Sequence, residues 1–585
     1  MTEAASVFES QQELGGETIE RLRAAADAAA SWAVVPRPRT TCAFLGRVRA
    51  ERGRLRLLES FLARSSMSFP KDDPRLSAYR SVLFDLRANL RLLRAAIIAV
   101  SGRPQHVAQL PRIVVTGRKD EPRVAAVANA YLRAVDGDFS VPTFHAFVRE
   151  FQAREQLTVD ELWDFPAFLK YGLLESLLDQ AQSQFSSPES VVASAFSQRL
   201  GGLRTIGNLD WAFQIEPLIA FDSLLLEDPA GVYGSMDFES RELYRKRIAL
   251  IARRSDCTES EVAQAALDLA QRGQTQSNGD SRIRSRLIHV GYYLIDKGFP
   301  LLAARVGFHP PVAWRIRQFV LSHAEDFYIT GILLFSIFII AAALFPVAPA
   351  VSRFISLIIA IAVLLVPATQ AAVDLINNSV TSFLDPSPLP KLDFSEGIPA
   401  GCATLVAIPS LLLNEKQVRE LVNDLEVRFL GNRDPNLHFA LLTDLPDSVS
   451  KPRENDSSPL VELASNLIGE LNSKYRSPKC GGFLLLHRRR IFNTRQGVWM
   501  GWERKRGKLL DLNKLLAGEF DAFPIKAGEV EALRQVRYVL TLDSDSQLPR
   551  GTAARLAGAI AHPLNQAVID PHLRIVTSGY GILQP

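Results

Sequence analysis

Two charge-free apolar runs, set eight residues apart, constrain this chain more than any other feature. Phe327–Phe345 (FYITGILLFSIFIIAAALF) and Phe354–Ala372 (FISLIIAIAVLLVPATQAA) contain no Asp, Glu, Lys or Arg. Each approaches the roughly 20 residues a helix needs to cross hydrocarbon. Only Pro346-Val347-Ala348-Pro349-Ala350-Val351-Ser352-Arg353 separates them. The spacing predicts a tight helical hairpin that returns both flanks to one side of a lipid bilayer. Pro367 is expected to kink or terminate the second helix. The alternative, two buried helices of a soluble core, fits poorly with adjacent runs of this length. Arg315 and Arg317 precede the first run, and the turn carries the single Arg353. The positive-inside bias therefore points to the cytoplasm for both flanks.

A chain of 585 residues should form several structural units. Its net charge of +4 is too small to make a general electrostatic case for nucleic acid, and none is expected as a partner. The four cysteines (Cys42, Cys257, Cys402, Cys480) show neither metal-ligand spacing nor a disulfide framework, which fits a reducing compartment. The start, Met1-Thr2-Glu3-Ala4-Ala5, does not read as a cleaved signal peptide.

Residues 1–322 read as helix after helix, a helical cytoplasmic domain. In Arg75–Val100, Val82, Leu83, Leu86, Leu90, Leu93 and Ile97 share one face, predicting an amphipathic helix. Thr158 with Glu161, and Thr258 with Glu261, form capping boxes that open two more. The dispersed His106, His145, His289 and His309 read as structural. Arg47–Arg56 reads as a solvated helix face rather than a phosphate or headgroup site. No catalytic constellation stands out in this half.

After the hairpin (325–376) and a proline-punctuated linker (377–399), the pattern in 400–585 changes to alternating strands and helices, predicting an open, mostly parallel α/β sheet. Strands are expected at Thr404–Pro409, His438–Thr443, Gly482–His487 and Val536–Leu542, with helices at Glu415–Leu430 and Pro459–Tyr475. Ligands of such sheets sit beyond the carboxyl ends of the strands. Pro409, Asp444, Asp543 and Asp545 fall there. Asp444 reads equally as a turn residue before Pro446. Asp543-Ser544-Asp545 places two carboxylates where a strand meets a loop, an arrangement suited to Mg²⁺ or Mn²⁺ and, through the metal, to a diphosphate. That is the donor-site logic of nucleotide-sugar glycosyltransferases, although Asp-x-Asp is also common in surface turns. The basic, aromatic Val498–Lys508 suits a diphosphate and a sugar ring, or equally a loop facing anionic lipid.

LPKLDFSEGIP, DPNLHFALLTDLPD, GVWMGWERKRGKLLDLNKLL, LTLDSDSQLPRG and GYGILQP resemble the glycosyltransferase region of bacterial cyclic β-1,2-glucan synthases. HVGYYLIDKG resembles the segment before their membrane spans. The resemblance implies an α plus α/β fold: a helical amino-terminal domain, a transmembrane hairpin and a GT-A-like α/β glycosyltransferase domain. It implies UDP-glucose as donor, a growing β-1,2-glucan as acceptor, a divalent metal, and the cytoplasmic face of the bacterial inner membrane. Asp543 and Asp545 match the metal and donor motif, and Asp444 a carboxylate near the uridine. Lys505, Lys508 and Asn513 fall in the lysine-and-asparagine donor loop. Inversion needs a carboxylate base to deprotonate the acceptor. That base, the remaining strands, the later spans and a phosphorylase-like region are expected beyond Pro585, so the chain reads as an incomplete fragment. Two rivals stand beside this reading. One is a non-catalytic membrane protein whose α/β part binds nucleotide or scaffolds partners. The other is a glycoside hydrolase, for which two carboxylates flanking one serine are poorly arranged.

Overall fold

A computed structural model describes residues 15–35, 43–64, 77–115, 118–185, 192–276, 280–346, 354–384, 386–452, 456–477 and 481–584. The chain folds as two compact units: Met1–Glu227 with Arg245–Leu267, and Asp228–Tyr244 with Asp268–Pro585.

The first unit is largely helical. Its long Val159–Gln184 helix buries residues around most of its circumference, among them Leu162, Phe165, Leu169, Leu173 and Leu177, and so serves as a central pillar. Thr158 and Glu161 make the reciprocal capping bonds the sequence predicts. Thr258 and Glu261 do the same. The segment expected as one helix over 75–100 forms two, Ser77–Ala88 and Leu90–Ser101. Asn89 breaks it by donating its side-chain amide to the Asp85 carbonyl at 2.6 Å, in competition with the backbone ladder. The expectation of helices alone also missed a small antiparallel sheet, in the order β1 (Val34–Val35), β2 (Arg112–Val115), β3 (Arg118–Pro122).

In the second unit, Ala324–Leu344 and Phe354–Phe383 are both long and apolar enough to cross a membrane. Only 6% of each apolar window is buried, so neither behaves as the core helix of a soluble protein, and both favour membrane association. They pack on each other where Gly331 lets Ile376 approach. Pro367 does not end the second helix, which runs on to Phe383. Proline removes one donor, a loss that apolar spanning helices absorb through neighbouring groups. The segment expected as a linker is tied down. Lys391 N donates to Ser240 Oγ at 2.9 Å, Leu392 N to Gly558 O at 3.1 Å, and Ile398 N to Asp434 Oδ2 at 2.7 Å.

The sheet that follows has β4 (Thr404–Leu411), β5 (Leu437–Asp444) and β6 (Phe483–His487) parallel and adjacent. Next in sequence come a short hairpin, β7 (Ile491–Asn493) and β8 (Val498–Met500), then β9 (Ile525–Gly528) and β10 (Tyr538–Thr541). The strand order is β10-β4-β5-β6-β9, with β10 parallel to β4 and only β9 antiparallel. Alternation of side chains sends Val406, Ile408, Phe439 and Leu441 to one face, against helices Glu415–Gly431, Pro459–Lys474 and Thr552–Ala561. Leu405, Ala407, Ala440 and Leu442 point to the other face, which includes Leu512 of the Arg504–Leu516 helix. Cover on both faces explains the unbroken apolar run of β4. Strand order reverses between β4 and β10, and that switch point is where open α/β sheets leave a crevice.

Candidate functional site

Asp444 closes β5, beside the end of β4. It is 2% exposed, and its oxygens accept from Arg488 Nε and Nη2, each at 3.0 Å. Arg488 Nη1 donates to Asp511 Oδ2 at 2.9 Å, and Trp502 Nε1 donates to the same oxygen at 3.1 Å. Lys508 Nζ donates to the Ser410 carbonyl at 2.6 Å and lies 3.4 Å from Asp444 Oδ2. Two cations and two carboxylates, all buried, therefore balance one another. Burial pulls the Lys508 ammonium below the usual lysine range, and Asp444 opposes that. Close approach demands glycine here: a Cβ on Gly501 would meet Asp444 Oδ2 at 2.6 Å, and one on Gly507 the Trp502 carbonyl at 2.1 Å.

Asp543 and Asp545 follow β10 in an exposed loop at the switch point. Asp543 forms an ion pair with Lys505, from the first turn of the Arg504–Leu516 helix. Before that lysine, Glu503 and Arg504 adopt φ of 46° and 42°, a strained left-handed turn that sets where the helix begins. The loop itself is gripped from behind. Arg428, buried on the Glu415–Gly431 helix, donates to the Ser544 carbonyl at 2.7 Å and to the Ser546 carbonyl at 2.8 Å. Asn432 adds bonds to the Leu548 and Pro549 carbonyls at 3.3 and 3.1 Å.

The structure thus brings the sequence-nominated residues together in two pairs, Asp444 with Lys508 and Asp543 with Lys505. Asn513 is exposed further along the same helix. The basic segment expected as a loop is strand β8 followed by a helix. Sequence reasoning missed Arg488 and Arg428. Arg488 opens a run of three arginines that reads as surface, and Arg428 lies in an amphipathic helix where arginine normally marks the wet face.

Among the described residues, no cluster of three or more His, Cys, Asp or Glu is placed to hold a metal. Two carboxylates still fit a Mg²⁺ or Mn²⁺ that completes its shell with phosphate oxygens and water. The Lys505 ammonium already stands as a cation against Asp543.

An α/β sheet with acidic residues at its switch point thus stands on a chain that also carries two apolar helices of membrane length. No family model matches the chain. Among curated proteins, the cyclic beta-(1,2)-glucan synthase NdvB of Rhizobium meliloti (strain 1021) is 35% identical over 417 residues, covering 70% of this chain and 14% of that protein. The chain is a homologue of that synthase and spans about 14% of its length.

Proposed function

We propose that this chain is the donor-binding part of a membrane-bound glucosyltransferase that transfers glucose from UDP-glucose to a growing β-1,2-glucan. The observation that carries the reading is the meeting of Asp543 and Lys505 at the switch point of the five-stranded α/β sheet, in a homologue of a glucan synthase. Asp543 and Asp545 would hold a divalent cation, which neutralises the departing diphosphate when bound. Lys505, released from Asp543, would meet the same phosphates as a point charge. Asp444, Arg488 and Lys508 act from below as a rigid floor, and Asn513 extends the polar edge of the Arg504–Leu516 helix. Transfer with inversion forms the bond from the acceptor hydroxyl to the anomeric carbon as the bond to UDP breaks, and the hydroxyl proton goes to a base. On this reading the hairpin anchors the chain in a bacterial inner membrane with the chemistry on the cytoplasmic side, where nucleotide sugars are made.

Titration of the full chain with UDP tests this in the presence and absence of Mn²⁺. Metal-dependent binding that is lost in Asp545→Asn is expected. Binding indifferent to metal, or none at all, would remove the donor site.

A further inference from the structure

The helix leading into the first apolar span, Val312–Ser322, carries an apolar face that stands largely exposed. Helical spacing puts Val312, Ile316, Phe319 and Val320 on one side, bordered by Arg315 and Arg317. Val312, Ile316 and Phe319 are 63%, 59% and 58% exposed, a contiguous apolar surface of the kind that marks an interaction site. Between this face and the end of the second span lies a cavity of about 370 Å³, lined by Ile316, Arg317, Val320, Phe383 and Leu384. Four apolar side chains and the long side chain of Arg317 form the seat. Neither the Arg315 nor the Arg317 guanidinium has a hydrogen bond or acidic partner among the described residues. Glu325 and Asp326, in the first turn of the next helix, suit its positive end and pair with neither arginine.

The apolar surface also continues into the hairpin. The Phe319 ring lies 5.9 Å from that of Phe327 in the first span. His323, at φ −123° and ψ 37°, breaks the backbone between the two helices, so the shorter one is not an extension of the span. Such a helix suits the plane where acyl chains meet headgroups.

We infer that this seat binds a bilayer phospholipid. One acyl chain enters the cavity beside Ile316, Val320, Phe383 and Leu384, and the phosphate rests on Arg317 with Arg315 bracketing it. The aliphatic stems of both arginines lie along the apolar face while their heads reach the headgroup level. The inference rests on the reading of the hairpin as membrane-spanning.

The full chain, reconstituted in phosphatidylglycerol vesicles that contain a phospholipid with a photoactivatable acyl chain, tests it. Cross-linked residues are located by mass spectrometry. Label is expected at 316–320 and 383–384 as well as in the spans. Arg315→Gln and Arg317→Gln should each lower label at the seat by about fivefold and leave the spans unchanged. Ile316→Glu should lower it as well. Labelled spans with a bare seat, or a seat indifferent to the arginine variants, would overturn the lipid site and leave the membrane reading standing. Unlabelled spans would overturn both.

Discussion

Asp444 is held by Arg488 on one side and Lys508 on the other, with no water-facing edge to relieve any of the charges. Removing it leaves two buried cations with one remaining carboxylate, Asp511. Asp444→Ala should cost about 3–5 kcal/mol of stability in the α/β region, read as a lower thermal midpoint for the detergent-solubilised chain. A midpoint like that of the parent would mean the cluster is hydrated. Arg428 tests a different link. Its guanidinium shapes the backbone of the Asp543–Ser546 loop through carbonyl groups and touches no ligand in the proposed reading. Arg428→Met should weaken metal-dependent UDP binding by about tenfold, the equivalent of about 1.4 kcal/mol, with the fold retained. Asp545→Asn, by contrast, should abolish the metal dependence itself. Equal UDP affinity in Arg428→Met and the parent would show that the loop holds its shape unaided. Asp444 and Asp543 were legible because acidic residues at strand ends stand out against apolar strands. Their arginine partners were not, because one-dimensional spacing does not reveal which arginine turns inward.

The hairpin turns on how closely its two helices approach. A Cβ at Gly331 would sit 3.0 Å from Ile376 Cδ1, and a small residue at this contact permits tight packing without a hydrophobic drive. Tyr328 OH adds a hydrogen bond to Asn377 Oδ1 at 3.1 Å. Alanine at 331 needs only a small shift of a flexible methyl, whereas Gly331→Ile should splay the pair. Cysteines placed at 328 and 377 should then cross-link several-fold more slowly than in the parent, and an unchanged rate would place the contact elsewhere. The strong helical periods of Glu415–Gly431 and Pro459–Lys474 survive almost to the residue, because their apolar faces meet a sheet that needs covering. Strands β7, β8 and β9 went unseen. They have three or four residues each, too few for a period, and pairing rather than composition makes them strands.

At the scale of the molecule, acid should loosen the second unit. Burial holds the imidazoles of His438, His487 and His562 below the usual histidine range, and His562 is held down further by His289 and Arg286. The ring nitrogens of His438 and His562 accept from the backbone N–H groups of Gly482 and Leu564, bonds a protonated ring would lose. The unfolded chain takes up these protons near pH 6.5, while the fold refuses them until lower pH. Stability contributed by the neutral rings is therefore complete above about pH 6.5 and falls as pH drops below it, by up to about 1.4 kcal/mol per pH unit for each ring. Unfolding midpoints that stay flat between pH 7 and pH 5 would contradict this. Residue order alone marks where the apolar hairpin lies, that an α/β sheet follows it, and which acidic residues end its strands. Those are properties of hydrophobic period and run length, fixed by local chemistry. The folded chain alone reveals that Asp444 faces a buried arginine while Asp543 faces solvent and a lysine, that Pro367 is carried within a continuing helix, and that the expected linker is strapped to its own unit. The carboxylate contacts and the strapped linker depend on which groups the fold brings within hydrogen-bond distance across tens or hundreds of residues, and no local pattern encodes that distance.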